Sequence, residues 1–361
     1  MMKKTFLILA ALLLMATTGA NAQKQYQLYG IGFYNLENLF DTCHDVGHND
    51  YEYLPDGTNR WTGLKYTHKL RNMAQVLSEM GTDRTALKDI GCAAIGVSEV
   101  ENAKCLADLC EQPVLKARNM QFVHIEGPDQ RGVDCALLYN PKLFKVNDVK
   151  LVPYIYVKPE DSLRATRGFL TVKGTMAGED VAIIVNHLPS RFAGSFYREE
   201  GGRQIRLVKE ELMRENPNVK LFIMGDMNDD PQDKSMSEAL GAVRKIKNVE
   251  EGGLWNPWWD VLASGTGTLQ YDGGWNLFDQ IILSKTLLDT HHMKSGKPVD
   301  LKKIDCSTLK YFGHQIFRRD YLFQREGRYK GNTKRTHAGG VWLDGYSDHL
   351  PTVVYVVKEV K

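Results

Sequence analysis

The sequence predicts an α/β fold in which strands and helices alternate along the whole chain. Short apolar runs rich in β-branched residues recur from one end to the other, bounded by Gly, Asn, Asp and Pro, as is typical of buried strands. They span residues 30–35, 93–100, 133–140, 181–188, 219–226, 277–284 and 351–357. No Pro- or Ser-rich linker and no internal repeat divides the chain, so we expect one α/β domain.

Two segments between these runs have the periodicity of amphipathic helices. In 65–80, apolar residues recur every three or four positions from Leu70 to Met80. The segment 198–216 shows the same spacing and ends before Pro217. Apolar residues at this spacing form one face of a helix, so both segments are predicted to pack as helices against the sheet.

The N-terminus has the pattern of a secretory signal. Two lysines precede an apolar run over 6–15, and small residues at 20–22 suit cleavage. The run is too short to span a bilayer as a helix, and no later run is long enough, so stable membrane insertion is not expected. We expect a signal peptide over 1–22 and a domain over 23–361 that is exported, to the periplasm or the medium. A buried first helix is the alternative.

Composition and charge restrict the class of protein. The 361 residues are 43% hydrophobic and 10% aromatic, which is typical of a globular chain with a full core. The 46 Lys and Arg, less the two lysines of the predicted signal, leave 44 against 44 Asp and Glu. A neutral chain gives no support from bulk charge for a nucleic-acid partner. Nothing in the sequence identifies a protein partner.

Six cysteines are compatible with either disulfides or free thiols. An exported protein encounters a compartment that permits disulfides, but sequence does not determine the pairing of six cysteines. Buried free thiols are equally compatible with the composition. Cys105 and Cys110 have no second close Cys/His pair beside them, so a zinc site is not predicted.

Polar residues at the ends of the predicted strands suggest one shared site. Buried strand interiors do not tolerate unpaired charges, whereas strand ends can converge on one rim of a sheet. The residues concerned are Asn35, Glu99, His187, Asp226, Asn228, Asp279, Asp348 and His349. Carboxylates and carboxamides without thiolates are the ligands that Mg²⁺ or Mn²⁺ prefers. Such a cation neutralises charge on a phosphoryl group, while a nearby Asp or His transfers protons.

Seven segments resemble, in order, the motifs of the endonuclease/exonuclease/phosphatase superfamily. They are FYNLENLFD (33–41), GVSEVEN (96–102), RGVDCALLYNP (131–141), NHLPSR (186–191), GDMNDDP (225–231), FDQIILS (278–284) and YSDHLPTVVYV (346–356). The resemblance implies a four-layer α-β-β-α sandwich of two packed, mostly antiparallel sheets. It also implies an enzyme that hydrolyses phosphoester bonds with Mg²⁺, for which Mn²⁺ can substitute.

The resemblance also implies a metal site and a site for the attacking water. Glu99 would be the principal metal ligand, with Asn35 beside it and Asp348 supporting the same site. Asp226 would position or deprotonate the attacking water. Asn228 would donate a hydrogen bond to a phosphate oxygen as it gains charge.

The remaining implied roles concern the phosphate and the leaving group. Asp279 would orient His349 and stabilise its charge, and His349 would donate to the phosphate. His187 would stand near the leaving oxygen, as a general acid or as a phosphate contact. Arg167 and Arg191 are candidates to hold the phosphate. Taken singly, Asp226, His187 and Asn35 would more often be turn or satisfied polar residues; their joint occurrence favours the site.

The motifs do not decide the substrate, because nucleases, lipid phosphodiesterases and phosphatases share them. Two features favour nucleic acid. Four arginines follow His187 within 191–206, and the segment 310–336 holds eight Lys and Arg against two acids, with six aromatics between them. Basic and aromatic side chains together can follow a phosphate backbone and stack on bases. A surface insertion with solvated charges is the alternative for this segment.

We therefore predict an exported metal-dependent phosphodiesterase, first of all an endonuclease that hydrolyses DNA or RNA. A sphingomyelinase-like or small-molecule phosphoesterase is the first alternative. Membrane lipid would require an apolar loop, for which WNPWW at 255–259 is the candidate, unless it belongs to the core. A catalytically silent nucleic-acid- or surface-binding module is the alternative of another class, and the intact catalytic set argues against it.

Overall fold

The computed structural model describes residues 24–161, 164–271 and 273–360. Two large mixed sheets pack face to face, and helices cover the outer face of each sheet. The four-layer α-β-β-α sandwich is therefore confirmed. The predicted signal peptide, 1–22, lies outside the described residues and stays a prediction.

The strands of the described chain, in sequence order, are β1 (Gln25–Leu39), β2 (Ala94–Val100), β3 (Gln121–His124), β4 (Asp134–Tyr139), β5 (Phe144–Val152), β6 (Phe169–Met176), β7 (Glu179–His187), β8 (Lys220–Asp226), β9 (Ala242–Val243), β10 (Leu254–Trp255), β11 (Leu269–Tyr271), β12 (Gly274–Asn276), β13 (Asp279–Ser284), β14 (Lys310–Ile316), β15 (His337–Ala338), β16 (Val341–Trp342) and β17 (Thr352–Val360). The first sheet has the order β14-β17-β1-β2-β4-β3, and the second β5-β6-β7-β8-β13-β10-β9. Neighbours are antiparallel except in β1–β2, β7–β8 and β9–β10, and two short hairpins, β11–β12 and β15–β16, stand apart.

The α-helices are α1 (Gly63–Glu79), α2 (Ala103–Cys110), α3 (Pro113–Lys116), α4 (Ser195–Glu215) and α5 (Trp259–Ala263). The first and fourth confirm the two amphipathic helices that the apolar spacing predicts. Helix α1 packs on the outer face of the first sheet, and α4 packs on the outer face of the second.

In strand β8, successive side chains point alternately into two different hydrophobic cores, one on each face of the second sheet. Phe222 and Met224 point into the core between the sheets, whereas Leu221 and Ile223 point into the core beneath α4. Successive side chains of a strand face opposite sides, and here both sides are buried, so the strand reads as one continuous apolar run. Strands of this kind are the ones that the sequence identifies.

The strands β5 and β6 are not among the predicted runs. Strand β5 lies at the edge of the second sheet. Four of its nine residues, among them Asn147 and Asp148, are exposed. An edge strand with one solvent-exposed face carries polar residues that interrupt the apolar signal, which explains the omission of β5.

The pairing of the strands brings the functional strand ends to one rim. In the register, Asn35 lies opposite Ser98, and His187 lies opposite Asp226, which in turn pairs with Asp279. Gly225 makes this junction possible, because a Cβ there would lie 2.2 Å from the Asn186 carbonyl oxygen. The predicted convergence of strand ends is therefore present in the structure.

The structure also tests the predictions made for the stretch 255–259, for the cysteines and for membrane-spanning helices. Trp255 and Trp258 lie in the core, and their indole N–H groups donate to the carbonyls of Arg244 and Ile281. The stretch 255–259 is therefore not the apolar loop that a membrane substrate would require. All six cysteines are free, and no helix of the described residues is long and apolar enough to cross a membrane.

Candidate active site

Asp226 is the centre of the rim where the strands meet. Asn35 Nδ2 donates to its Oδ2 at 3.0 Å, and the Asn228 backbone N–H donates to its Oδ1 at 2.9 Å. Burial is the main cause that raises the pKa of Asp226 to about 7, and the neighbouring His349 opposes this rise. A carboxylate with a pKa near neutrality is suited to accept a proton from water.

Asp279 and His349 form a buried pair beside Asp226. Asp279 Oδ2 lies 2.7 Å from His349 Nδ1, and His349 Nε2 lies 3.8 Å from Asp226 Oδ2. Burial lowers the pKa of His349, but the Asp279 and Asp226 carboxylates outweigh it and leave the pKa well above its ordinary value. The ring is therefore an imidazolium near neutral pH and presents its Nε2–H as a charged donor.

His187 occupies the opposite side of Asp226. Its Nε2 lies 3.5 Å from Asp226 Oδ2 and 3.8 Å from Glu99 Oε1, and Arg167 Nη2 lies 3.1 Å from the same nitrogen. Burial and the Arg167 guanidinium hold the pKa of His187 well below its ordinary value. A neutral ring favours the phosphate-contact role of the two that the sequence suggests. Its Nδ1 is buried with no hydrogen-bond partner in the described chain.

Glu99 and Asp348 present carboxylates to the cleft. Glu99 is a left-handed residue, with φ of 60°, and its Oε2 accepts the Asn38 backbone N–H at 3.1 Å. Asp348 Oδ2 accepts from Arg335 Nη2 at 2.9 Å. Both side chains are partly exposed. Neither carboxylate is closed off from solvent, so each keeps lone pairs free for a ligand.

Asn228 and Arg167 line the cleft, whereas the other predicted arginine, Arg191, does not. Asn228 lines it, with φ of 50°, and its Nδ2 donates to the Leu188 carbonyl. Arg167 also lines it and is held by Asp129 at 2.7 Å. Arg191 is bonded to Asp230 and Asp233 behind the 225–231 turn. The structure does not place Arg191 among the residues that line the cleft.

The cleft over these residues has a volume of about 630 Å³. Several of its walls come from residues that the sequence reasoning did not single out: Asp129, Arg131, Tyr156, Arg164, Phe192 and Leu269. Phe192 is fully exposed at its mouth. Arg131 begins one of the motifs, at 131–141, and Phe192 directly follows another, at 186–191. Their position in or beside a motif is the sequence feature that could have identified them.

The two basic segments are partly neutralised within the fold. Arg198 is buried against Asp229, and Arg203 pairs with Glu200. In 310–336, Arg319 pairs with Glu79 and Asp83, Lys310 and Lys334 donate to backbone carbonyls, and Arg335 joins Glu37 to Asp348. Five of the twelve cations that predicted a nucleic-acid surface therefore pair with carboxylates of the described residues, and the other seven are not neutralised by such a pair.

The donor set of the rim fits a hard divalent cation. Glu99, Asp348 and Asn35 offer oxygen ligands without thiolates, as Mg²⁺ prefers. Asp226, Asp279 and His349 also lie close enough together to hold an ion. We favour the first set, because Asp279 already engages His349, and the charged ring repels a cation. A cation held there would neutralise charge on a bound phosphate.

A sandwich of two sheets with this rim of carboxylates, carboxamides and histidines defines a metal-dependent phosphoester hydrolase. The chain belongs to the Endonuclease/Exonuclease/phosphatase family, whose profile matches residues 30–358. Its enzymes are divalent-metal-dependent phosphoester hydrolases. No sequence among the curated proteins is similar enough to count as a match.

Solved structures share the fold at low sequence identity. An endonuclease/exonuclease/phosphatase family protein from Bacteroides thetaiotaomicron is 15% identical with a TM-score of 0.55, covering 93% of this chain and 97% of its own. A mannosyl-6-phosphatase of the same species is 16% identical with a TM-score of 0.54, covering 91% and 99%. A D. rerio TDP2, solved with a single-strand DNA product, is 14% identical with a TM-score of 0.50, covering 91% and 98%.

Proposed function

We propose that this protein is an exported, Mg²⁺-dependent nuclease, in the first place an endonuclease that hydrolyses phosphodiesters of DNA or RNA, with Mn²⁺ as a substitute metal. Proteins of this fold act on chemically different phosphoesters, as the names of a TDP2 and a mannosyl-6-phosphatase show. The choice of substrate therefore depends on the walls of the cleft.

The arginines and the exposed aromatic ring along one wall of the cleft favour nucleic acid as the substrate. Arg131, Arg164 and Arg167 line this wall, and the ring of Phe192 stands fully exposed at the cleft mouth. Among the described residues, Arg131 has no carboxylate within 4.0 Å, and its Nη1 donates only to Asn38 Oδ1 at 3.3 Å. Guanidinium groups bind phosphates, and an exposed ring can stack on a base. This combination suits a phosphate flanked by a nucleoside.

The reaction follows from the residues around Asp226. Asp226 accepts the proton of the attacking water, the P–O bond to the leaving oxygen breaks, and that oxygen takes a proton from solvent. Asn228 and the His349 imidazolium donate hydrogen bonds to phosphate oxygens as these gain charge. His187 and Arg167 hold the phosphate on the side of the leaving oxygen. Asn35, Glu99 and Asp348 would hold Mg²⁺, which supplies charge neutralisation at the phosphate when bound.

A small-molecule phosphoesterase is the second candidate. The observation that favours it is the pairing of five cations of the basic segments with carboxylates of the protein, which leaves fewer of them to follow a long polyanion. A compact cleft of about 630 Å³ suits a phosphate group with one attached ring as well as it suits part of a polymer.

The test is a comparison of substrates with and without chelator. The purified protein is incubated with plasmid DNA, RNA, sphingomyelin and a generic phosphodiester. We expect cleavage of DNA or RNA, abolished by chelator and lowered severely by Glu99→Gln. Turnover of small phosphoesters without any cleavage of polymer would establish the second candidate instead. Full activity in excess chelator would exclude the metal-dependent reaction.

Export is tested separately by cell fractionation. The full chain should be recovered from the periplasm or the medium, shortened at about residue 22, and a variant without residues 1–22 should remain inside the cell. Recovery of the uncleaved full chain from the cytoplasm would contradict export without affecting the proposed reaction.

A further inference from the structure

Arg335 joins two parts of the rim that are far apart in sequence. Its Nε donates to Glu37 Oε1 at 2.9 Å, and its Nη2 donates to Asp348 Oδ2 at 2.9 Å. Glu37 follows Asn35 on β1, and Asp348 precedes β17. One planar guanidinium therefore bridges two carboxylates, a geometry that the fork of arginine provides and the ammonium of lysine does not.

Glu37 belongs to a bulge in β1. The pairing of β1 with β2 shifts register between Asn35 and Leu39, and within this bulge Glu37 and Asn38 have φ of 48° and 59°. Left-handed backbone is costly for residues other than glycine and persists only where the surroundings hold it. Bulges next to active sites re-aim side chains.

The hydrogen bonds of the Glu37 carboxylate stabilise this left-handed backbone. The carboxylate is buried, and besides Arg335 it accepts the Thr336 backbone N–H at 2.7 Å. The buried Lys69 ammonium donates to Thr336 Oγ1 at 2.6 Å and to the Tyr346 carbonyl at 2.5 Å. Residues 335 and 336 are thus fixed against both α1 and the strand end that carries Asp348.

The bulge in turn directs Glu99. The left-handed turn directs the Asn38 backbone N–H towards β2. This N–H donates to Glu99 Oε2 at 3.1 Å. Glu99 is itself left-handed, and the pairing of β2 shifts register between Ser98 and Val100. Its direction into the cleft is therefore set from the neighbouring bulge.

We propose that Arg335 is a positioning residue for the divalent-cation site, acting on Asp348 directly and on Glu99 through the Glu37–Asn38 turn. The inference rests on the proposed metal-dependent function, but it concerns how the ligands are held and not which substrate is cleaved. Partners that orient metal ligands are worth roughly 10- to 100-fold in metal affinity.

The sign of the effect separates positioning from simple electrostatics. Arg335 is a cation beside Asp348, and removing a cation next to a carboxylate strengthens the attraction of that carboxylate for a divalent ion. Loss of orientation weakens the binding. In a variant that stays folded, weaker binding after removal of Arg335 therefore comes from lost positioning.

The experiment measures Mn²⁺ binding to the purified full-length protein by electron paramagnetic resonance and calorimetry, without substrate. The variants are Arg335→Ala and Arg335→Lys, and the matched control is Arg319→Ala. Arg319 belongs to the same segment and also bridges two carboxylates, those of Glu79 and Asp83, away from the cleft-lining residues. We expect the Mn²⁺ dissociation constant to rise roughly 10- to 100-fold in both Arg335 variants and to stay unchanged in the control.

Each other outcome overturns the proposal. Unchanged or tighter Mn²⁺ binding in Arg335→Ala would make Arg335 a counter-ion without a positioning role, and wild-type binding in Arg335→Lys would show that charge alone suffices. If Arg335→Ala does not fold, Arg335→Lys, which keeps the charge, decides the question. Because no substrate is used, the result is independent of whether the protein cleaves nucleic acid. Wild-type protein that binds no Mn²⁺ would instead contradict the proposed metal-dependent function.

Discussion

Asp279 Oδ2 and His349 Nδ1 lie 2.7 Å apart, although Asp279 begins a strand of the second sheet and His349 precedes a strand of the first. The bond therefore crosses the interface between the two sheets at the rim of the cleft. It fixes the ring so that Nε2 faces Asp226 at 3.8 Å, and the two carboxylates keep the ring charged.

Replacing Asp279 by Asn should therefore change the pH dependence of the reaction as well as its rate. The folded-state pKa of His349 is raised in the wild type, so the imidazolium persists well above pH 6.5 and is lost only as pH rises through that raised pKa. Without the Asp279 charge, the loss should occur at lower pH. We expect kcat to fall by orders of magnitude and the alkaline limb of the kcat profile to move to lower pH. An alkaline limb at the wild-type position would show that His349 does not act as a charged donor.

Asp226→Asn should remove the proton acceptor and leave cation binding nearly intact. Burial raises the pKa of Asp226 to about 7, and activity that requires the carboxylate is lost as pH falls through its pKa. A bound cation favours the charged form, so the acid limb of the wild type should lie at or below about pH 7. The variant should lose orders of magnitude in kcat. The check is kcat measured together with Mn²⁺ affinity; a large loss of affinity would reassign Asp226 as a principal metal ligand.

Phe192→Ala should weaken substrate binding if the exposed ring stacks on a base. Stacking contributes about 1–3 kcal/mol per base, so we expect KM for an oligonucleotide to rise roughly 5- to 150-fold with kcat little changed. Phe196→Ala is the matched control, because Phe196 is also exposed but does not line the cleft. Equal effects of the two substitutions, or none, would remove the observation that favours nucleic acid over a small phosphoester.

His314 provides a test of the fold away from the active site. It is partly buried beside Trp258, and Tyr311 Oη lies 2.6 Å from its Nδ1. Burial lowers the pKa of His314 from 6.5 to about 4. The unfolded chain therefore binds the proton first, and stability that is complete above pH 6.5 is lost as pH falls towards 4, by roughly 3 kcal/mol at most.

The measurement compares wild type with His314→Asn, whose side-chain oxygen can still accept from Tyr311. Chemical denaturation at pH 7 and pH 4 gives the difference in unfolding free energy at each pH. The variant should be less stable at pH 7, and its disadvantage should shrink or reverse at pH 4, because only the wild type loses a partly buried neutral imidazole. A difference that does not change with pH would mean that the ring is accessible to solvent.

Much of the fold follows from local pattern. Strands buried on both faces, such as β8 and β13, and helices with one apolar face, such as α1 and α4, have periodicities that adjacent residues reveal. The edge strand β5 does not, since one of its faces is exposed to water and polar residues there interrupt the apolar pattern. The polar strand ends were also visible, because a buried strand has no other place for a charge.

Local pattern does not predict which carboxylate a basic side chain pairs with. Arg191 and Arg335 carry the same charge; Arg191 ends the motif at 186–191, and Arg335 precedes the motif at 346–356. Yet Arg191 bonds to Asp230 and Asp233, whereas Arg335 bridges Glu37 and Asp348. A long flexible side chain takes the carboxylate that comes within reach, and which carboxylate that is depends on elements far apart in the chain.

The sequence by itself thus determined the α/β class and the set of polar residues at the rim, because these depend on periodicity and on the cost of burying charge. The four layers were implied by the resemblance of its motifs to a known superfamily. Only the tertiary structure decided which basic residues are free to meet a substrate and how the bulges of β1 and β2 aim Glu99 into the cleft. Both depend on contacts between distant segments: left-handed turns such as Glu37–Asn38 are held by residues some 300 positions later, and no local pattern contains that partner.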